Sequence, residues 1–462
     1  MAETPGTAPM LPLVLVALLA GAALAFGSAL FNDGDTGWHL ATGRFIIDTH
    51  SFPHTDPFSF TFRGQPWTAH EWLADVLMAA LFAAGGWAGL TLPFAAAVAG
   101  ILLLVGRELT RTLPTRYVLL ALAGLGVVLA PGMLARPHVL AWFLFAWWLV
   151  ILLRARERPG RPQLAAAVLM LIWANVHASY LIGLGLVGVF ALEALAEDRD
   201  PRRSLPGWII FGLLCLAAAF VTPHGVQGFL YPFQVSGMRI LPLIDEWRPP
   251  QLPQDMGFAL LAAVLLLLAV RHWREIGWVR LLLLAGLLAM SITHSRHQPL
   301  FAITGLLAVV PRIGRPRPLP EIGQFAVGVL VAGAVLACLV RLALPLERTD
   351  GLTYPRTALA HVPQAFRSAP VLNSYSFGGP LALHGIAPFI DGRSDMYGDD
   401  FTILHSRLTD GDMPAFHAEL RKWNLRWTIL TPDTPLVAKL DRERGWRRLH
   451  SDRWAVVHVR TP

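Results

Sequence analysis

Apolar residues in this chain come in blocks, separated by short polar turns. The blocks fall near residues 11–31, 74–106, 117–135, 138–153, 163–178, 180–196, 206–221, 257–270, 279–293, 298–311 and 323–341. Crossing a bilayer as a helix takes roughly 20 apolar residues, so the pattern predicts a polytopic α-helical membrane protein of about eleven spans. The second block is long enough to hold an interfacial helix beside its span. Past residue 345 the pattern changes, and short β-branched runs alternate with charged stretches. Val371–Tyr375, Ala387–Asp391 and Trp427–Leu430 read as strands, Met413–Trp423 as a helix and Trp446–Val459 as a terminal hairpin. Two units follow: a transmembrane bundle over 1–344 and a small C-terminal α/β domain over 345–462.

Composition agrees with this class. Of 462 residues, 54% are hydrophobic and only 15% charged, where a soluble domain carries about 25% charged residues. The formal charge of +7 comes almost wholly from arginine. Those arginines punctuate apolar blocks, so they set orientation and do not suggest nucleic acid. With the N-terminus cytoplasmic, the inner loops hold sixteen arginines and the outer ones six: Arg44, Arg63, Arg136, Arg239, Arg248 and Arg296. An odd number of spans then puts the C-terminal domain outside. The first block reads as a retained span and not a cleaved signal, because Met1–Met10 contains no Lys or Arg. Cys215 and Cys338 each lie within an apolar block and read as small buried hydrophobes.

Polar residues sort by side. Nine of the 16 histidines (His39, His50, His54, His70, His138, His177, His224, His294 and His297) fall at outer ends or loops. Simple helix capping would use both faces alike. Directly after the first span comes Asn32-Asp33-Gly34-Asp35-Thr36-Gly37-Trp38-His39, where ionisable groups at a membrane surface need a reason to exist. The outer loop 32–70 continues with an amphipathic segment, Trp38–Ile47, expected to lie along the surface. The outer loop 222–256 carries Asp245-Glu246-Trp247. Asp35 or Asp33 is the candidate general base, with an N-cap of the following helix as the alternative, for Asp33 above all. Arg44, Arg136 and Arg296 are candidate cations for a phosphate, with His177, His224, His294, His297 and Glu246 around the same cavity. His54, Asp56, His70 and Glu71 have the chemistry of divalent-metal ligands, magnesium or manganese; capping, or pairing with Arg63, explains them without metal.

An acidic pair after the first span, a long first outer loop, about eleven spans and an outer C-terminal domain together resemble the GT-C superfamily of membrane glycosyltransferases. Trp38-His39-Leu40-Ala41-Thr42-Gly43-Arg44, Asp56-Pro57-Phe58-Ser59, His70-Glu71-Trp72-Leu73 and Phe389-Ile390-Asp391-Gly392-Arg393-Ser394-Asp395 also look like a bacterial branch of such membrane proteins. The pair is spaced Asp33-Gly34-Asp35, where many members have adjacent acids, so which of the two matches the family's catalytic acid stays open. The resemblance implies transfer of a sugar from a polyprenyl-phosphate donor to a glycan, lipid or protein acceptor on the outer face of the bacterial cytoplasmic membrane. An outer-face acyl or phospholipid-headgroup transferase would use the same side chains. A transporter, or a noncatalytic assembly factor, is the reading without chemistry; no internal repeat of the transporter kind is visible.

Overall fold

The computed structural model describes residues 11–27, 29–157, 162–198, 200–317 and 324–461; parts of the arginine turns at 158–161 and 199, and the leader residues 1–10, lie outside them. Every apolar block contains a helix. In chain order the bundle is built from α1 (Leu11–Phe26), α2 (Thr36–Thr49), α3 (Trp72–Thr110), α4 (Thr115–Leu129), α5 (Pro137–Glu157), α6 (Ala167–Val176), α7 (Tyr180–Glu197), α8 (Pro201–Ala219), α9 (Gly225–Ser236), α10 (Met256–Arg271), α11 (Trp273–Ile276), α12 (Trp278–Thr293), α13 (Gln298–Thr304), α14 (Val310–Ile313) and α15 (Gln324–Ala343). A π-helical turn, Gly305–Val309, joins α13 to α14. Five helices, at α3, α4, α5, α7 and α8, are long and apolar enough to cross a membrane alone, and five shorter apolar ones lie beside them. The long second block resolves as one 39-residue helix broken at Gly85 and Gly86. Gly86 sits at φ 58°, ψ −149°, a backbone state open essentially to glycine alone.

The remaining elements form the C-terminal domain: α16 (Arg356–His361), α17 (Gln364–Arg367), β1 (Val371–Asn373), α18 (Gly378–Leu383), α19 (Ser394–Thr409), α20 (Met413–Trp423), β2 (Trp427–Leu430), α21 (Pro435–Leu440), β3 (Trp446–Ser451) and β4 (Val456–Arg460). The sheet order is β1-β2-β4-β3, with β1 parallel to β2 and the other pairs antiparallel. Side chains alternate across a strand, and here both faces are covered. Val371, Trp427, Ile429, Val457 and Val459 meet Leu359 and Leu381 on one face. Leu372, Leu430 and Val456 meet Leu408, Phe416 and Leu436 on the other.

Cys215 is buried as expected, but Cys338 is exposed on α15. Two further expectations need correction. Ala387–Asp391 is not a strand. Its backbone is held by one side chain instead: the Asn373 amide donates to the Ile390 carbonyl at 2.8 Å and accepts from the Phe389 N–H at 2.9 Å. Nor is α2 an open amphipathic helix. Thr36 through Gly43 are all buried, because α2 is sandwiched between α3 and α18. The loop after it is pinned down as well. Phe60 and Phe62 meet Phe389, Trp423, Tyr397 and Phe401 edge to face, and the Thr61 hydroxyl donates to the Phe389 carbonyl at 2.7 Å. The first long loop therefore belongs as much to the C-terminal domain as to the bundle.

At the far end of the bundle the arginine turns close on two glutamates. Glu193 of α7 takes Arg280 at 2.8 Å, Arg312 at 2.6 Å and Arg156 at 3.9 Å. Glu108 of α3 takes Arg111 at 2.9 Å and also Arg154. These pairs tie α3, α5, α7, α12 and α14 together.

Candidate active site

The segment 32–36 turns the chain from α1 into α2. Asp33 serves that turn: its carboxylate accepts from the Thr36 N–H at 3.0 Å and the Thr36 hydroxyl at 3.2 Å. Its carbonyl accepts from Arg348, a buried residue of the linker between bundle and C-terminal domain. Asp35 points elsewhere, and its Oδ2 meets Arg136 Nη2 at 3.1 Å. Its other oxygen lies so close to Gly392 that a Cβ placed there would fall 1.8 Å from it. Gly34 and Gly37 sit equally tightly on Ser376 and Gly379. The acid is thus held in the joint between the two units. Burial pushes the Asp35 carboxyl up to about 7, against the pull of Arg136.

Arg136 sits in the turn before α5, and is shared. Glu246, from the loop between α9 and α10, lies 3.5 Å from Arg136 and 3.9 Å from Arg296. Arg296 also stacks over the Trp247 ring at 4.3 Å, and His294 Nδ1 meets the Trp247 carbonyl at 2.7 Å. Burial raises the Glu246 carboxyl, but the two guanidiniums outweigh it and hold it at about 2. Two arginines and one firmly ionised carboxylate therefore stand beside a carboxylate that titrates near neutrality.

A second cluster adjoins them at the entry to α3. Glu71 lies 3.5 Å from His177 Nε2, 3.7 Å from His70 Nε2 and 3.9 Å from His39 Nε2. His39 Nδ1 in turn meets Asp75 Oδ1 at 2.7 Å. Burial raises Glu71 to about 8, with Arg136 and Arg296 opposing, and burial drives His39, His70, His177 and His297 below the usual histidine range. Burial thus favours the uncharged form of Glu71 and of the imidazoles around it.

Asp35, Arg136, Glu246 and Arg296 are thus brought together, with His177, His294 and His297 around them. Arg44 is not among them: its side chain is 74% exposed and pairs with Asp48 on the outside of α2. The four candidate metal ligands are not gathered into one donor set. Asp56 is spent on structure, accepting from the Phe58 N–H at 3.0 Å, the Ser59 N–H at 3.1 Å, the Ser59 hydroxyl and Arg393 Nη1 at 2.8 Å. His54 meets the edge of His224, ring centres 5.1 Å apart, and His70 lies on Tyr231 at 4.2 Å. Among the described residues no group of three or more His, Cys, Asp or Glu is arranged to hold a metal ion. The Asp391-Gly392-Arg393 turn has an internal ion pair, Arg393 Nη2 to Asp391 at 2.6 Å, fully buried. Sequence reasoning missed Asp75, Arg348 and Gly392. Glu71 and Asp75 are four residues apart, a spacing that puts both on one helix face; the signal was there inside an apolar block.

No protein-family model matches this chain, and no curated protein does. Solved structures do. The oligosaccharyltransferase AglB from Archaeoglobus fulgidus, in complex with an inhibitory peptide and a dolichol-phosphate, is similar with a TM-score of 0.56 at 12% identity, covering 91% of this chain and 69% of that one. The same archaeal enzyme tethered to an acceptor peptide gives a TM-score of 0.55 at 11% identity, covering 91% and 68%. At such identities the likeness is one of fold.

Proposed function

We propose that this chain, a membrane protein with the fold of the GT-C lipid-linked-sugar transferases, moves a sugar from a polyprenyl-phosphate carrier to an acceptor hydroxyl. The step needs a base for the acceptor proton and positive charge for the departing phosphate. Asp35 is the base. A group poised near 7 combines enough of the ionised form with enough basicity at neutral pH. Asp33 is the turn-maker. Arg136 and Arg296 receive the phosphate, Arg136 lying close enough to Asp35 that proton uptake and charge release occur side by side. In the reaction the acceptor oxygen bonds to the anomeric carbon and its proton passes to Asp35. The bond from that carbon to the phosphate oxygen breaks, and the electron pair stays on the phosphate.

Glu246 holds both guanidiniums until the donor arrives, and the donor phosphate takes its place between them. Glu71, neutral at pH 7, can donate a hydrogen bond into the same space. The observation that carries the reading is the row Asp35–Arg136–Glu246–Arg296 at one end of this fold. The archaeal enzyme of similar fold has been solved with a dolichol-phosphate and with an acceptor peptide, which supports the reading by analogy of fold. It follows that the site faces the outer side of the cytoplasmic membrane, opposite the arginine turns.

Native mass spectrometry of gently extracted protein tests the class. A copurifying polyprenyl-phosphate sugar, or the bare polyprenyl phosphate, is expected. A copurifying acyl donor or a stoichiometric phospholipid in its place turns the reading to an acyl or headgroup transferase.

A further inference from the structure

Behind the His70 imidazole, between the α6–α7 and α8–α9 turns, lies a second cavity. His70, Trp72, Tyr180, Thr222, His224 and Gly228 line it. It is small: the centre of a water-sized group has only ≈ 10 Å³ to occupy. That is room for about one oxygen atom with its hydrogen. Three buried polar atoms of residues that line it, the Tyr180 hydroxyl, the Thr222 hydroxyl and His224 Nε2, have no hydrogen-bond partner among the described residues. Tyr180 is 2% exposed. Folded proteins leave few buried polar groups unpaired, and three around one space of atomic size call for a common partner.

The chemistry of the walls narrows that partner. No Asp, Glu, Lys or Arg lines the cavity, so neither a cation nor a phosphate is matched there. Tyrosine and threonine hydroxyls both donate and accept, and an imidazole held neutral by burial does one at each nitrogen. A group that donates and accepts at once satisfies all three. The Trp72 ring beside it is fixed by its N–H, which donates to Asn175 Oδ1 at 2.7 Å, giving a rigid apolar flank with a few placed polar atoms, as small-ligand sites have. One wall of the cavity, His70, also approaches Glu71 of the neighbouring cluster at 3.7 Å.

We propose that this cavity is a recognition subsite for one hydroxyl of the transferred sugar, an inference that rests on the function proposed above. A site built to hydrogen-bond a hydroxyl rejects a ligand lacking it, because its own polar groups are then left unpaired. Specificity for the sugar thus resides at Tyr180 and Thr222, and affinity for the carrier phosphate resides at the arginines.

Thr222→Val and Tyr180→Phe each remove a hydroxyl at nearly constant volume. The test offers full-length protein a panel of decaprenyl-phosphate glucose, mannose and arabinose beside bare decaprenyl phosphate, and reads occupancy by native mass spectrometry. The wild type is expected to prefer at least one glycosylated lipid over the bare phosphate. Each variant is expected to lose that preference about tenfold, or about 1.4 kcal/mol, with bare-phosphate binding unchanged as proof of folding. Preference kept in both variants overturns the subsite and leaves a structural water in its place, and so does a wild type that binds bare phosphate with no preference. Wild-type protein that takes up no polyprenyl phosphate in any form overturns the functional reading itself, and the subsite with it.

Discussion

Both ends of this bundle hold buried carboxylates facing arginines, yet they are built to opposite rules. At the far end the two most buried acids are each met by several arginines: Glu193, 0% exposed, by three guanidiniums and Glu108 by two, and Arg111, Arg156 and Arg312 reach on to Glu157, Asp198 and Glu197 at the rim. At the domain end positive charge is short. Arg136 serves Asp35 and Glu246 together, and the nearest basic groups to Glu71 are imidazoles. A buried pair with excellent geometry is structure, since removing one partner strands the other. A cluster left short of counter-charge keeps protons at neutral pH and has chemistry to offer. The contrast separates a brace from the proposed reaction centre without appeal to sequence position.

The sharpest way to break this contrast is to remove one acid from each end. Asp35→Asn is expected to lower sugar transfer by roughly 10²–10⁴, the usual worth of a positioned base, with the thermal midpoint little changed. Glu193→Gln is expected to do the reverse: it strands buried guanidiniums, costs about 3–5 kcal/mol of stability, and leaves the rate per folded molecule near wild type. Equal effects of the two changes on rate and on melting would erase the distinction. In the wild type, kcat/KM should fall about tenfold for each pH unit below about 7 as Asp35 takes up a proton, and this slope should vanish in Asp35→Asn.

A smaller effect is expected from Gly392→Ala. The new methyl would displace Asp35 from its seat, lowering kcat about tenfold, since a misplacement of an ångström is felt strongly in catalysis. Retained turnover, measured on protein with an unchanged melting curve, would show that the joint does not position the acid.

A last expectation concerns stability against pH. Glu71 rises on folding from 4.5 to about 8. The folded state therefore binds the proton more tightly, and stability falls as pH rises from about 4.5 towards 8. Glu71→Gln should flatten that loss, gaining on wild type with each step in pH. A difference in melting midpoint that stays constant from pH 5 to 9 would contradict the assigned protonation.

Much of this architecture is legible in the chain because it rests on local periodicity. The apolar blocks become helices, Met413–Trp423 is α20 to the residue, and the 446–459 hairpin forms as its alternation predicts. What stays hidden depends on partners hundreds of residues away. Asp56 looks like a metal ligand until Arg393 arrives from the other domain, and Arg348 grips the Asp33 carbonyl from the linker. The Trp38–Ile47 segment has the look of an interfacial helix because nothing local announces that α18 will cover it. Glycine is equally mute: Gly34, Gly37 and Gly392 carry no side chain to signal a close approach.

Those close contacts also bear on modularity. Because the acid loop is seated on backbone of the C-terminal fold, with no cushion of side chains between them, the C-terminal domain is not an accessory that can be trimmed or traded. A chimaera bearing a foreign tail would inherit the membrane half intact and still lack the surface that aims Asp35. Bundle and tail behave as one machined fit, and drift in either is constrained by the other.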